Sequence, residues 1–144
     1  VDRIVVPEPW SPSIDEHNAA GTNGAVYAHE VVSTPLGQVQ QYLDALHDVG
    51  VAAHAEQGLV PIGAFHTAMR ARDEAIVIWA IPDWPTWAAF ERTWDDDRSP
   101  WPWRTHAASL GARTERTLIV DAPLSPLRTG RQPQVDDRRP LDEF

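Results

Sequence analysis

The side chains best suited by type to move a proton are His29, His66, His106 and Glu91. An imidazole titrates near neutral pH and can relay a proton either way. A carboxylate pressed among indoles is desolvated, the setting in which it serves as general acid or base. Glu91 has that setting in outline. At about 100° per residue, Trp84, Trp87, Phe90 and Trp94 fall on one helical face, and Glu91 lies inside their arc. The competing expectation is a tilted helix whose Glu91 reaches solvent or pairs with Arg92 or Arg104.

Aromatic residues would supply the walls of such a site. Five of the seven tryptophans lie in residues 82–103, PDWPTWAAFERTWDDDRSPWPW. The stripe from Trp84 to Trp94 is explained by packing on a sheet, as aromatic stripes at helical spacing usually are. Trp101 and Trp103 flank Pro102 and fit either the mouth of a pocket or an anchor between subunits. Tyr27, Trp79, Trp87, Trp101, Trp103 and Arg104 form the expected substrate-binding set. Arg104 and His106, two apart, can present a cation and an acid–base group together, or belong to an exposed helix surface.

Strand alternation limits what can share a pocket. His29 falls on the face of Tyr27 and Val31, whereas Glu30 points the other way with Ala28 and Val32. His66 comes from a second strand of the same sheet and can approach a cavity shared with His29. His47 and His54 are seven apart on a helix, about 10 Å by helical rise, too far to hold one metal as a pair. A boundary or solvated position is expected for both. Asp95, Asp96 and Asp97 read as a solvated turn, and no metal site is expected.

Composition removes several chemistries. All twelve basic residues are arginine, so Schiff-base and pyridoxal-phosphate catalysis lack their lysine. There is no cysteine, hence no thiolate nucleophile or disulfide. No HExxH, P-loop, GxSxG or GxGxxG sequence occurs. The net charge of −9 disfavours nucleic acid and anionic membranes, which call for a basic surface. No apolar run nears the roughly 20 residues of a membrane span, and a cytoplasmic protein is expected.

The elements that must position these groups follow from periodicity. Residues 25–33, 59–67, 74–82 and 113–123 read as strands, the third as a buried one. A helix capped by Thr34, with Pro35 at its first position, carries Val39, Leu43, Leu46, Gly50 and Ala53 at three- and four-residue spacing, flanked by Tyr42 and Val49. Gly58 ends it. A second helix spans about Pro85 to Trp94, and a third, opened by Pro100 and Pro102, ends near Gly111. Residues 1–24 read as an arm, 25–122 as the domain and 123–144 as an extended tail. The order predicts a ferredoxin-like α+β fold, a four-stranded antiparallel sheet with helices on one face. The other face needs a cover, and a second subunit is the economical one.

Residues 26–43, VYAHEVVSTPLGQVQQYL, resemble the opening of the NIPSNAP family, where a strand with a Tyr and a Glu runs through a Pro-Gly turn into a helix. The likeness continues through GLVPIGAFHT, EAIVIWAIPDW and the tryptophan-bearing segment after the aspartates, over about residues 25–122. His29 between Tyr27 and Glu30, and Val31 where an arginine is common, depart from the pattern. The resemblance implies a homodimeric α+β barrel, in a superfamily with cofactor-free monooxygenases, polyketide cyclases, aldoxime dehydratases and chlorite dismutases. It transfers no catalytic residue, and fold alone assigns no reaction.

Together these features favour an enzyme that transfers protons on a hydrophobic metabolite without a bound coenzyme, of isomerase, cyclase or lyase type. The alternatives are a cofactor-free monooxygenase, a haem enzyme with His29, His66 or His106 as axial ligand, and a non-catalytic binding or assembly protein.

Overall fold

The computed structural model describes residues 3–69 and 72–137. Residues 1–2, two positions of the 68–74 link and the end of the tail, 138–144, lie outside the described residues. The strands are β1 (Val5–Pro7), β2 (Val26–Ser33), β3 (Val60–Thr67), β4 (Glu74–Ile81) and β5 (Arg113–Ile119). They form one antiparallel sheet in the order β1-β3-β4-β2-β5. Without β1 this is the ferredoxin-like arrangement.

The fifth strand comes from the segment read as an arm. Val5 pairs with Thr67 and Pro7 with Phe65, extending the sheet beyond β3. Pro7 has no N–H to donate, which suits an edge strand. Beyond it, helix α1 (Ile14–Ala20) opens on a reciprocal cap in which Ser13 Oγ accepts from the Glu16 N–H and the Glu16 carboxylate accepts from the Ser13 N–H.

Between β2 and β3 the chain is helical in three parts, α2 (Val39–Ala45), a π-turn (Leu46–Gly50) and α3 (Val51–Glu56). The helix starts later than the Thr34-Pro35 pair suggests. Gly37 at φ +79° turns the chain out of helical space, so Thr34 caps nothing and instead donates its N–H to Asp73 O. In the π-turn the Val51 N–H reaches Leu46 O, five residues back. That extra residue rotates the following turn and brings His54, rather than Ala53, fully into the core.

Helix α4 (Trp84–Asp95) is capped by Asp83, whose carboxylate accepts the Thr86 N–H at 2.7 Å. Helix α5 (Pro102–Ser109) has its proline at the first position. A short α6 (Pro126–Thr129) lies in the C-terminal segment. The core forms where α2 to α5 meet one face of the sheet, with Val26, Ala28, Val32, Leu43, Leu46, Val77, Trp79 and Phe90 buried together. The opposite face carries Tyr27, His29, Val31, Phe65, Ile76 and Ile78, as the pairing of His29 with Ile78 and of Phe65 with Ile76 requires. No helix among the described residues is long and apolar enough to cross a membrane.

Candidate functional site

Three ionisable groups meet beneath α4 on the helix-covered face. Glu30 on β2 pairs directly with Arg116 on β5, so both side chains project inward. Arg116 gives its Nε–H and one Nη2–H to Glu30 Oε1, at 2.8 and 2.6 Å. Trp79 gives its indole N–H to Glu30 Oε2 at 3.0 Å. Both oxygens of a buried carboxylate are thereby satisfied, the condition under which a buried charge is tolerated.

Arg116 also reaches outward, its Nη1–H donating to Glu91 Oε1 at 3.1 Å. The Glu91 side chain is 39% exposed, against 11% for Arg116 and 4% for Glu30. The row therefore runs from solvent to core. Its guanidinium is flanked by rings, 4.3 Å from the Trp94 centroid, 4.8 Å from Phe90 and 5.7 Å from Trp87. Three of its five N–H donors are committed, and the other two have no acceptor among the described residues.

Deeper still lies His54, 1% exposed. Its ring stacks on Trp79 with centroids 3.9 Å apart and 13° between planes, and meets Trp101 edge-on at 4.8 Å. Phe90 and Trp103 complete the surround. His54 Nδ1 lies 2.7 Å from Gly50 O, and because a carbonyl only accepts, Nδ1 carries the hydrogen. Burial, partly opposed by the nearby Glu30 carboxylate, pushes the imidazole down to about 4, so it is neutral at pH 7. Burial likewise pushes the Tyr42 phenol up. Gly50 admits the aromatic cluster, since a Cβ there would stand 2.9 Å from the Trp103 ring.

The residues singled out by sequence divide into those that join this cluster and those that do not. Glu91, Trp79, Trp87, Trp101 and Trp103 belong to it. Trp101 and Trp103, 6% and 3% exposed, are core residues rather than a surface mouth or a subunit anchor. Trp84 leaves the expected stripe and is largely exposed. Glu91 pairs with neither Arg92 nor Arg104 but with Arg116.

The other candidates sit elsewhere. His29 is half-buried on the opposite sheet face, between Ile78 and Thr117. Tyr27 shares that face, and its hydroxyl accepts the Gly24 N–H at 3.1 Å. His66 is on the helix-covered face near the end of β3, next to the edge strand β1, its Nδ1 2.8 Å from the buried Glu8. His66 and His29 therefore do not face a common cavity. Arg104 donates to Trp94 O and to Asp97, and His106 is exposed on α5. None of His29, His66 and His106 is among the rings that surround His54, although the His106 ring lies 5.9 Å from Trp103. Asp96 accepts the backbone N–H groups of Arg98 and Ser99, as a solvated turn would, and no cluster of metal-ligating residues occurs among the described residues.

His54 and Arg116 escaped the sequence reading. Arg116 was legible in principle, since Thr114, Arg116 and Leu118 alternate inward. His54 is expected at the boundary, one turn after the buried Gly50, and its full burial follows the π-turn of residues 46–50. A surface depression of about 430 Å³ lined by Trp10, Pro12, His17 and Pro61 is separate from this cluster.

No protein-family model matches the sequence, and no curated protein matches it. Solved structures do. An uncharacterized NIPSNAP domain protein from Burkholderia xenovorans aligns with TM-score 0.54 and 17% identity, over 70% of this chain and 98% of that one. A NIPSNAP family protein from Agrobacterium tumefaciens aligns with TM-score 0.54 and 21% identity, over 72% of this chain and 99% of that one. The chain thus shares the ferredoxin-like α+β fold of those NIPSNAP domains.

Proposed function

We propose that this protein is a coenzyme-independent acid–base enzyme acting on a hydrophobic small molecule held between α4 and the sheet. The observation that carries this is the Glu91–Arg116 pair, a half-exposed carboxylate held by a cation that is itself enclosed by Trp87, Phe90 and Trp94. Glu91 is the member of the row a substrate can reach, and it accepts or returns the proton. The two uncommitted N–H donors of Arg116 stabilise the oxyanion that forms when a proton leaves carbon next to a carbonyl. Glu30 and Trp79 fix the guanidinium. Isomerisation, cyclisation and elimination that pass through an enolate all begin with such a step.

The same proposal includes a homodimer joined through the sheet face opposite the helices, where the part-exposed Val31, Phe65 and Ile78 form an apolar patch. Analytical ultracentrifugation gives twice the chain mass if this holds and the chain mass if it does not.

The catalytic role is tested by incubating the protein with apolar metabolite extracts and following depletion by mass spectrometry. Glu91→Gln should lower turnover by about 100-fold or more. Turnover equal to wild type in Glu91→Gln, or no depletion by the wild type, contradicts the proposal.

A further inference from the structure

His54 Nε2 is the most informative atom in the interior. It is buried and has no hydrogen-bond partner among the described residues. With the hydrogen on Nδ1 held by Gly50 O, Nε2 is a bare acceptor, and leaving such a group unsatisfied typically costs about 1–3 kcal/mol. Every ring against His54 is aromatic: Trp79, Phe90, Trp101 and Trp103. The Trp79 N–H is already given to Glu30. An ordered water needs two to four polar partners, and these walls offer few.

We propose that His54 Nε2 accepts a hydrogen bond from the hydroxyl of a planar aromatic ligand, making the protein a receptor for phenol-class molecules. This deepens the reading of the aromatic interior as a small-molecule site and rests on it. The ligand's ring packs against the indoles while its hydroxyl satisfies the atom that these walls leave open. Hydrogen bonding selects a neutral hydroxyl, because a phenol has an O–H to give the bare Nε2 whereas a phenolate has none. The π-turn that carries His54 inward is a local departure of the kind found at functional sites. Trp101 is the wall best able to yield, because it follows the exposed turn of residues 95–100 instead of sitting within a helix.

The test uses two probes of one shape, 2-naphthol and naphthalene, with wild-type protein, His54→Phe and Glu91→Gln. Binding is followed by tryptophan fluorescence and by ¹⁵N resonances of labelled histidine. Wild type should bind 2-naphthol about tenfold more tightly than naphthalene, the size expected of one hydrogen bond. The His54 Nε2 resonance should shift with 2-naphthol alone, a readout that does not depend on whether His54→Phe folds. His54→Phe should lose the preference. Equal affinities in the wild type, binding of neither probe, or a preference kept by folded His54→Phe each overturns the proposal. Glu91→Gln should keep the preference, so loss of a catalytic role for Glu91 and loss of the His54 site are separate results.

Discussion

Glu30 and His54 are both buried against Trp79, one taking its N–H and the other its face, yet only one is fully satisfied. Glu30 has donors on both oxygens, whereas His54 has one nitrogen paired and one open. Saturation suits a group that holds structure, since a buried charge survives only with its partners. An open acceptor holds nothing further in place. The contrast separates the groups that build the interior from the group that is left for a visitor.

The largest effect should come from breaking the saturated side. Arg116→Leu leaves Glu30 charged, buried and without its cation, and should cost about 3–5 kcal/mol of stability in urea unfolding. His54→Phe should change stability at pH 7 by no more than about 1 kcal/mol, because it removes one good hydrogen bond and one unsatisfied acceptor together. Equal losses in the two variants would erase the distinction.

Acid should sharpen it. The folded-state value of His54, about 4, lies below the ordinary 6.5, so between these values the unfolded chain binds more protons. Its contribution is complete above pH 6.5 and is lost as pH falls towards 4. The full difference is about 3 kcal/mol. Glu30 and Arg116 are the charged groups that act on the imidazole, and both remain in His54→Phe, whose new side chain does not titrate. Unfolding of the two proteins across this range should therefore show the wild type losing more stability. Parallel curves would place His54 in a more hydrated setting.

Packing effects come next. Gly50→Ala puts a Cβ 2.7 Å from Leu46 Cδ1 and 2.9 Å from the Trp103 ring, and should cost about 1–3 kcal/mol by thermal or urea unfolding. The smallest effect should be at the periphery, where Ser13→Ala removes the α1 cap and costs about 1 kcal/mol, seen as faster amide exchange confined to that helix.

Much of the scaffold was legible because alternation and helical spacing are local. The four strands of the domain and the aromatic face of α4 follow from those periods. The edge strand β1 did not, since Val5–Pro7 is three residues ending in proline, although the Ser13-to-Glu16 spacing advertised the helix behind it. The first helix was placed too early because Thr34 and Pro35 imitate a helix start that Gly37 prevents. The site was less legible still. Glu30 and Arg116 are 86 positions apart, and their pairing depends on sheet order as well as alternation. Ala53 and His54 are neighbours, and without the π-turn the apolar stripe favours Ala53.

The most direct measurement is native mass spectrometry of folded wild-type protein after exposure to extracts rich in neutral aromatic metabolites, with His54→Phe beside it. A reproducible adduct of a neutral hydroxylated aromatic on the wild type, weakened in the variant, is the expected result. Wild-type protein that stays bare, or an adduct held equally by both chains, would contradict an interior built to receive a ligand at His54.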